Sequence, residues 1–188
     1  MRGKKCALVA GTLVAWLLAV PGMAQAAAVD EPAAPALTVE QTPVTVRTVV
    51  SAPESITVGE FLKRRAASAR ALPIADPLAL AASSCSSYSV TRLAENAFGG
   101  DLYKLTLRVD WCYNGSSVWG ASGGWSYSTG YGWSFDKWTN SPNTYYVGNT
   151  EAHTVGQAKF CISWCAGTGH LGHDVYGNRS GGTGYHNI

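Results

Sequence analysis

The amino-acid sequence predicts an all-β domain over residues 84–188, built as a disulfide-stabilised antiparallel β-sandwich or barrel. Three observations support this fold class. Large apolar residues alternate with small or polar ones in several segments, which is the pattern of strands with one buried face. Clusters of Gly, Asn and Ser separate these segments, as tight turns require. Four cysteines lie in this range, and an even number favours disulfides over metal or redox chemistry.

Residues 1–26 have the pattern of a secretory signal peptide. Three cations precede an apolar run over residues 6–20, and small residues follow at Ala24 and Ala26. This is the order of an export signal and its cleavage site. The run has about 15 residues, fewer than the roughly 20 that cross a bilayer. We therefore expect a secreted, extracellular protein with no membrane association after signal cleavage.

Residues 27–83 are predicted to be a leader or linker, mostly disordered. Ala, Pro, Val and Thr dominate residues 27–53, and the prolines there are spaced to prevent a regular element. Cleavage between residues 72 and 84 would release a domain of about 100 residues, a size that folds on its own. The sequence leaves open whether residues 27–83 are removed.

One short helix is predicted within this leader, over residues 58–72. Thr57 and Glu60 have the spacing of a capping box, in which each side chain satisfies the other residue's amide. Pro73 ends the predicted helix. We interpret the cationic cluster at residues 63–65, together with Arg70, as a solvated face, with a processing site or a surface contact as alternatives.

The clearest strand of the β domain covers residues 102–111. Its large residues alternate with Lys, Thr, Arg and Asp, so one face is predicted to be buried. Asn114 and Gly115 follow, a dipeptide that closes a tight hairpin because it tolerates positive φ angles. The returning strand is predicted over residues 117–122. The predicted core residues of the first strand are Tyr103, Leu105, Leu107, Val109 and Trp111.

A further strand is predicted over residues 125–136, with bulky side chains on one side and Ser or Gly on the other. If the bulky face points outward, its rings form an apolar platform suited to sugar rings or to a partner protein. If it points inward, the rings belong to the core, which is the usual arrangement of an alternating strand. The candidate binding residues on this face are Trp125, Tyr127, Tyr131 and Trp133.

Two more strands are expected, over residues 144–147 after a turn at residues 140–143, and over residues 158–164. The cysteines then follow from extended geometry. Cys161 and Cys165 would be roughly 13 Å apart in a strand, too far for a disulfide unless a bulge or turn folds them together. Cys112 and Cys161 both lie on the non-core side of their strands. We therefore expect the pairs Cys112–Cys161 and Cys85–Cys165, among the connectivities that four cysteines allow.

Two short motifs carry a resemblance to a known family. Trp-Cys-Tyr-Asn-Gly at residues 111–115 ends an alternating strand, and Gln-Ala-Lys-Phe-Cys follows at residues 157–161, with Val-Tyr-Gly at residues 175–177. This pattern resembles small secreted actinobacterial β proteins of unassigned activity, over residues 85–177. The resemblance implies a secreted, disulfide-bonded β fold in a Gram-positive bacterium and carries over no catalytic residue. The Gly/His-rich end after residue 167 departs from it.

Catalytic motifs are weak in this chain. Gly-rich matches to a dinucleotide fingerprint at residues 167–172 and to a nucleophile elbow at residues 120–124 lack the helix that either mechanism needs. His170 and His173, beside Asp174, have a spacing that can bind zinc, with His186 or His153 as a further ligand, or supply a general base. They lie in a predicted flexible loop. No cofactor or metal ion is expected.

Charge and composition favour a binding protein over an enzyme. Residues 84–188 carry six cations and six anions, and this balance argues against nucleic acid as a partner because such binding needs a clustered basic face. We expect a secreted non-catalytic binding module for carbohydrate or a protein surface, using exposed aromatics. The alternatives are a toxin or inhibitor released from its leader and a small hydrolase using His170 and His173. The oligomeric state stays open.

Overall fold

The computed structural model describes residues 44–68, 71–74, 77–163 and 165–188. The predicted signal peptide, the first part of the predicted leader and Trp164 lie outside these residues. In the part that is described, the chain forms nine β-strands in two antiparallel sheets, with two short helices. The all-β fold class predicted from the sequence is confirmed.

The first sheet contains five strands in the order β1-β3-β4-β5, and β2 also pairs with β3. Both helices lie between β2 and β3 in the chain. The elements of this half are β1 (Thr45–Val50), β2 (Glu54–Ile56), α1 (Val58–Ala66), α2 (Pro77–Ala81), β3 (Ser84–Glu95), β4 (Asp101–Tyr113) and β5 (Val118–Thr129).

The second sheet is a four-stranded meander in the order β6-β7-β8-β9. It packs face to face on the first sheet, chiefly through β7 and β8 against β3 and β4. The described residues therefore form a sandwich of two antiparallel sheets. The strands of this half are β6 (Trp133–Val147), β7 (Glu151–Ile162), β8 (Gly167–Asn178) and β9 (Thr183–Asn187).

The core between the sheets is organised by β4. The five predicted core residues of that strand are all buried and face Phe160 on β7 and Leu171 and Val175 on β8. The Trp111 indole donates a hydrogen bond to the Asn178 carbonyl oxygen over 3.0 Å. These contacts confirm the strand and its buried face, and they explain why period-two alternation was a reliable signal there.

A second apolar cluster lies on the outer face of the first sheet. It contains Ile56, Phe61, Leu80, Cys85 and Cys112, and the two helices cover it. Cys112 directly follows the core residue Trp111 on β4, so its side chain points to the opposite face of the sheet. The two helices therefore bury apolar residues of the first sheet that the second sheet cannot contact.

Helix α1 starts where the sequence predicts and ends earlier. The Thr57 hydroxyl accepts a hydrogen bond from the Glu60 amide over 3.1 Å, which is the capping contact expected. The helix ends at Ala66, and residues 69 and 70 lie outside the described residues. The chain then runs along β5, where the Leu72 amide donates to the Ala121 carbonyl oxygen over 3.1 Å. Neither of the described helices is long enough to span a membrane.

The expectation that prolines exclude regular structure from residues 27–53 is wrong for β1. This strand lies between Pro43 and Pro53 and contains neither. It pairs with β3 from Thr45 opposite Glu95 to Val50 opposite Val90. An edge strand with prolines only at its flanks loses no ladder hydrogen bond. Cleavage between residues 72 and 84 stays a prediction.

The single strand predicted over residues 125–136 is also wrong, because the chain turns within it. β5 ends at Thr129, and β6 begins at Trp133 in the other sheet. Gly132 has a φ of 79°, a left-handed conformation that favours glycine. Gly130 lies so close to the Asp101 carbonyl oxygen that a β-carbon would overlap it. These two glycines serve a turn, although their spacing also fits the small face of a strand.

Two further expectations for the second sheet need correction. Residues 140–143 are not a turn, because β6 passes through them with irregular register at Asn140 and Asn143. Residues 167–188 are not a flexible loop, because they form β8 and β9. Gly169 and Gly177 on β8 leave room for the rings of Tyr103 and Trp111 from the facing sheet. The glycines that resembled loop composition are packing positions.

Candidate ligand-binding surface

Exposed aromatic rings gather where the two sheets meet along one side of the sandwich. β5 is the last strand of the first sheet and β6 the first strand of the second, and the turn at residues 130–132 places the two strands next to each other. Inward-facing rings on such edge strands are covered from one side only. We call this row the aromatic edge; it consists of Trp125, Tyr127, Tyr131, Trp133, Phe135 and Trp138.

The rings of the aromatic edge hold one another in place. Tyr127 stacks on Phe135 with centroids 4.3 Å apart and an angle of 17° between the rings. Trp138 meets both rings edge-on, at 6.3 Å from Tyr127 and 5.4 Å from Phe135. The buried ring of Phe160 lies behind them. Tyr127 is therefore fixed from the inside while its side chain is 47% exposed.

The structure does not bring the four candidate binding residues onto one flat face. Trp125 and Tyr127 lie on β5 opposite the core residues Leu107 and Leu105, so their side of the strand is the inner one. They stay accessible because β5 is an edge strand, and Trp125 is 36% exposed. Tyr131 lies in the turn and is fully exposed. Trp133 is half-buried against Tyr103, 4.5 Å between ring centroids.

A groove of about 810 Å³ lies beside Trp125, between α1 and β5. The sequence does not reveal this groove, because its two walls are far apart in the chain. The only signal was the cationic cluster at residues 63–65, which we interpreted as a solvated face. The groove is lined by Gly59, Glu60, Lys63, Arg64, Ala67, Ser68, Arg108, Gly123, Gly124 and Trp125.

A buried carboxylate organises the charges of this groove. Asp110 is fully buried and accepts hydrogen bonds from Arg108 Nε over 3.1 Å and from Arg64 Nη1 over 3.4 Å. Arg64 also pairs with Glu60 and Glu54. Burial lowers the pKa of Arg64, but these carboxylates raise it more, so the guanidinium stays charged. Both arginines are thus oriented by a carboxylate that solvent does not reach.

His170 and His173 do not form a joint site. They lie three residues apart on β8, and alternation along a strand places them on opposite faces. His170 is exposed, whereas His173 is fully buried and bonded to the Val90 carbonyl oxygen through Nε2 over 2.9 Å. Burial lowers the pKa of His173 to about 4. One metal ion cannot bind both imidazoles, so the arrangement expected for a hydrolase is not formed.

The outer face of the second sheet carries a different histidine cluster. It contains His153 and His186, the two residues that the sequence offered as further zinc ligands. Four rings stack across its four strands with centroids 5.1 to 5.4 Å apart. Sequence reasoning missed this row because it depends on β8 and β9. We call it the ring ladder; its members are Tyr145, His153, Tyr176 and His186.

The carboxylates of Asp174 and Glu151 form hydrogen bonds with side chains of the ring ladder. His153 contacts Asp174 through Nδ1 over 3.0 Å and Glu151 through Nε2 over 3.1 Å. Burial lowers the pKa of His153, but the two carboxylates raise it more, so the pKa lies above its ordinary value. The Tyr145 hydroxyl donates to Asp174 over 2.9 Å, and burial together with this bond raises its pKa to about 12. Both imidazole nitrogens of His153 are thus engaged in structural contacts.

The disulfide pairing predicted from the sequence is wrong. The structure pairs Cys85 with Cys112 and Cys161 with Cys165. Cys112 lies beneath the helices and Cys161 on the outer face of the other sheet, so the sandwich separates them. The chain reverses after β7 through positive φ angles of 37° at Ser163 and 64° at Cys165, which brings the Cα atoms of the second pair to 4.5 Å.

The two Gly-rich catalytic matches lie within strands. The nucleophile-elbow match is part of β5, where Ser122 is buried and bonded to Asp110 over 3.4 Å. The dinucleotide match is the first half of β8. Neither segment opens a helix, so neither has the backbone geometry that its mechanism needs.

A comparison with protein-family models finds no match, and searches of curated proteins and of solved structures find none either. The chemistry of the surface therefore has to be inferred from its own geometry. It combines rigid, partly exposed rings with an adjoining polar groove. Such a combination of apolar contact area and a few oriented polar groups is typical of small-ligand and glycan sites.

Proposed function

We propose that the protein is a secreted, non-catalytic carbohydrate-binding module whose ligand binds along the aromatic edge. Trp125 and Tyr127 would stack on the apolar faces of sugar rings. The observation that carries the proposal is the exposure of Tyr127 while Phe135 and Trp138 fix its ring from behind. A ring that is already ordered loses little entropy on binding, so more of the contact energy appears as affinity.

The groove beside Trp125 supplies the hydrogen-bonding groups that the aromatic rings lack. Sugar hydroxyls need hydrogen-bonding partners, and the groove wall offers charged side chains from both α1 and β4. Its concave form favours a glycan chain over the flat surface of a protein partner. A toxin or inhibitor released from the leader stays a sequence-based prediction that no feature of this surface favours.

Two further features support secretion and a non-catalytic role. Both disulfides belong to an oxidising compartment, in keeping with export. Two of the acid and base candidates within the described residues already have charged partners: Asp110 contacts two arginines, and His153 contacts two carboxylates. His173 is buried in the core.

Titration with a panel of soluble and insoluble polysaccharides tests the proposal, with tryptophan fluorescence and calorimetry as readouts. We expect Trp125→Ala and Tyr127→Ala each to weaken binding by about tenfold, the loss typical of a central aromatic contact. Phe98→Ala is the matched control, because Phe98 is 92% exposed in the loop between β3 and β4 and does not belong to the aromatic edge. Absence of binding to every glycan in the panel would overturn the proposal.

A further inference from the structure

We infer that the ligand is an acidic glycan whose sugar carboxylates bind Arg108 and Lys63 in the groove beside Trp125. This inference rests on the proposed function and names the substrate class of that site. It is carried by the position and the remaining hydrogen-bonding capacity of these two cations.

The acidic groups near the groove are already paired. Glu54 and Glu60 both contact Arg64, and the Asp110 carboxylate lies beneath the surface with no exposed area. Lys63 is exposed and has no ion-pair partner among the described residues. A ligand in the groove therefore meets the exposed side chains of Lys63 and Arg108, and the one carboxylate that lines the groove, Glu60, is paired with Arg64.

Arg108 is placed for planar recognition of a carboxylate. Its Nε atom donates to Asp110, which orients the guanidinium, and its two terminal nitrogens have no acceptor among the described residues. The side chain is 39% exposed. A guanidinium fixed in this way keeps two parallel N–H groups, the arrangement that binds a carboxylate through both oxygens.

Gly124 makes this position possible. A β-carbon at that residue would lie 2.9 Å from Arg108 Nη2 and 3.1 Å from Cζ, closer than side chains normally approach. The guanidinium thus packs over a site that only glycine leaves open. An added methyl group at residue 124 would therefore push the guanidinium out of the position in which it contacts Asp110.

The ring of Trp125 indicates what the rest of the ligand must contain. Trp125 follows Gly124 directly and lines the same groove. A ligand that uses both features needs an apolar ring face and a carboxylate, which are combined in a chain of uronic acids. A small inorganic anion would use the cations and leave the ring unused.

The experiment compares polygalacturonate with neutral galactan by calorimetry on the full secreted chain, at low and raised salt. We expect polygalacturonate to bind at least about tenfold more tightly at low salt and to lose this advantage as salt screens the charges. Arg108→Gln and Lys63→Gln should each remove most of that advantage, so that the two polymers bind with similar affinity. Lys104→Gln is the matched control, because it removes a cation from the same strand outside the groove.

Arg108→Gln also removes a partner of buried Asp110, so Gly124→Ala serves as a second variant. It keeps every charge and displaces only the guanidinium, and it should weaken polygalacturonate binding by several-fold. Equal affinity for both polymers would overturn the acidic-glycan inference while the proposed function stands. Equal binding of a sulfated galactan would overturn the carboxylate assignment. Failure of both polymers and of the wider panel would overturn the proposed function itself.

Discussion

The outer faces of the two sheets are covered in different ways, although both sheets share one core. The first sheet buries Cys85, Cys112 and apolar residues beneath two helices. The second sheet has no helix on its outer face among the described elements and carries the ring ladder with its carboxylates instead. The packing of the first face thus depends on the segment that carries the two helices. The packing of the second face depends on the protonation of His153 and its carboxylates.

This difference predicts different sensitivities. Apolar burial and a disulfide respond to truncation and to reduction, and they change little with pH. Stacked rings held by carboxylates respond to pH and salt. The comparison can be tested by changing one face at a time and measuring the free energy of unfolding.

The largest effect is expected from Phe61→Ala. Phe61 has no exposed area and fills the cluster between α1 and the first sheet, and removal of a buried phenyl ring costs about 3–5 kcal/mol. Urea unfolding followed by circular dichroism measures the loss. Leu62→Ala is the control on the same helix, since Leu62 is largely exposed. Equal losses for the two variants would show that the helix does not protect a packed cluster.

A smaller effect is expected from removing the disulfides one at a time with paired Cys→Ala variants. The bond between Cys85 and Cys112 closes a loop with a sequence separation of 27, whereas the other bond spans 4 residues. Loop-closure entropy then predicts a loss of about 3.5 kcal/mol for the first and about 2 kcal/mol for the second. Thermal unfolding ranks the two variants, and the opposite order would contradict the prediction.

The two buried histidines should have opposite effects on how the free energy of unfolding depends on pH. The folded pKa of His173, about 4, lies below its unfolded value, so the unfolded state binds the proton first as pH falls. Stability should therefore decrease from about pH 6.5 to about pH 4. The folded pKa of His153 is raised, so its contribution is present below the unfolded pKa and is lost as pH rises through the folded pKa.

Urea midpoints measured from acid to alkaline pH separate these contributions. His173→Asn should flatten the acid side of the profile, and His153→Gln should flatten the neutral-to-alkaline side. Salt should reduce the His153 effect more than the His173 effect, because carboxylates near the surface cause the former and burial causes the latter. A profile that either variant leaves unchanged would contradict the assignment for that residue.

The sequence predicts those strands in which the polarity of each residue depends only on the face of the strand that it occupies. β4 alternates because one face contacts the other sheet, and this signal is local. β8 was missed because glycines that make room for Tyr103 and Trp111 look like loop residues until the facing sheet is known. The disulfides were mispaired because extended geometry does not anticipate the reversal at Ser163.

Only part of the candidate surface could be predicted from the sequence. Trp125 and Tyr127 stand out from composition alone, but their partial exposure depends on β5 being an edge strand. The groove requires α1 to lie beside β5, and the Ser68 hydroxyl reaches the Gly123 carbonyl oxygen across 55 residues of sequence. Contacts over such separations leave no periodic signal in the chain.

The segment that follows α1 also acts as a cover for an open strand edge. Ser68 and Leu72 occupy carbonyl oxygens of Gly123 and Ala121 that would otherwise face outward from β5. An uncovered edge of this kind is a template for pairing with a second chain. If the predicted cleavage between residues 72 and 84 occurs, only noncovalent contacts retain this cover. Its departure would leave this part of β5 free to pair with an edge strand of a second chain.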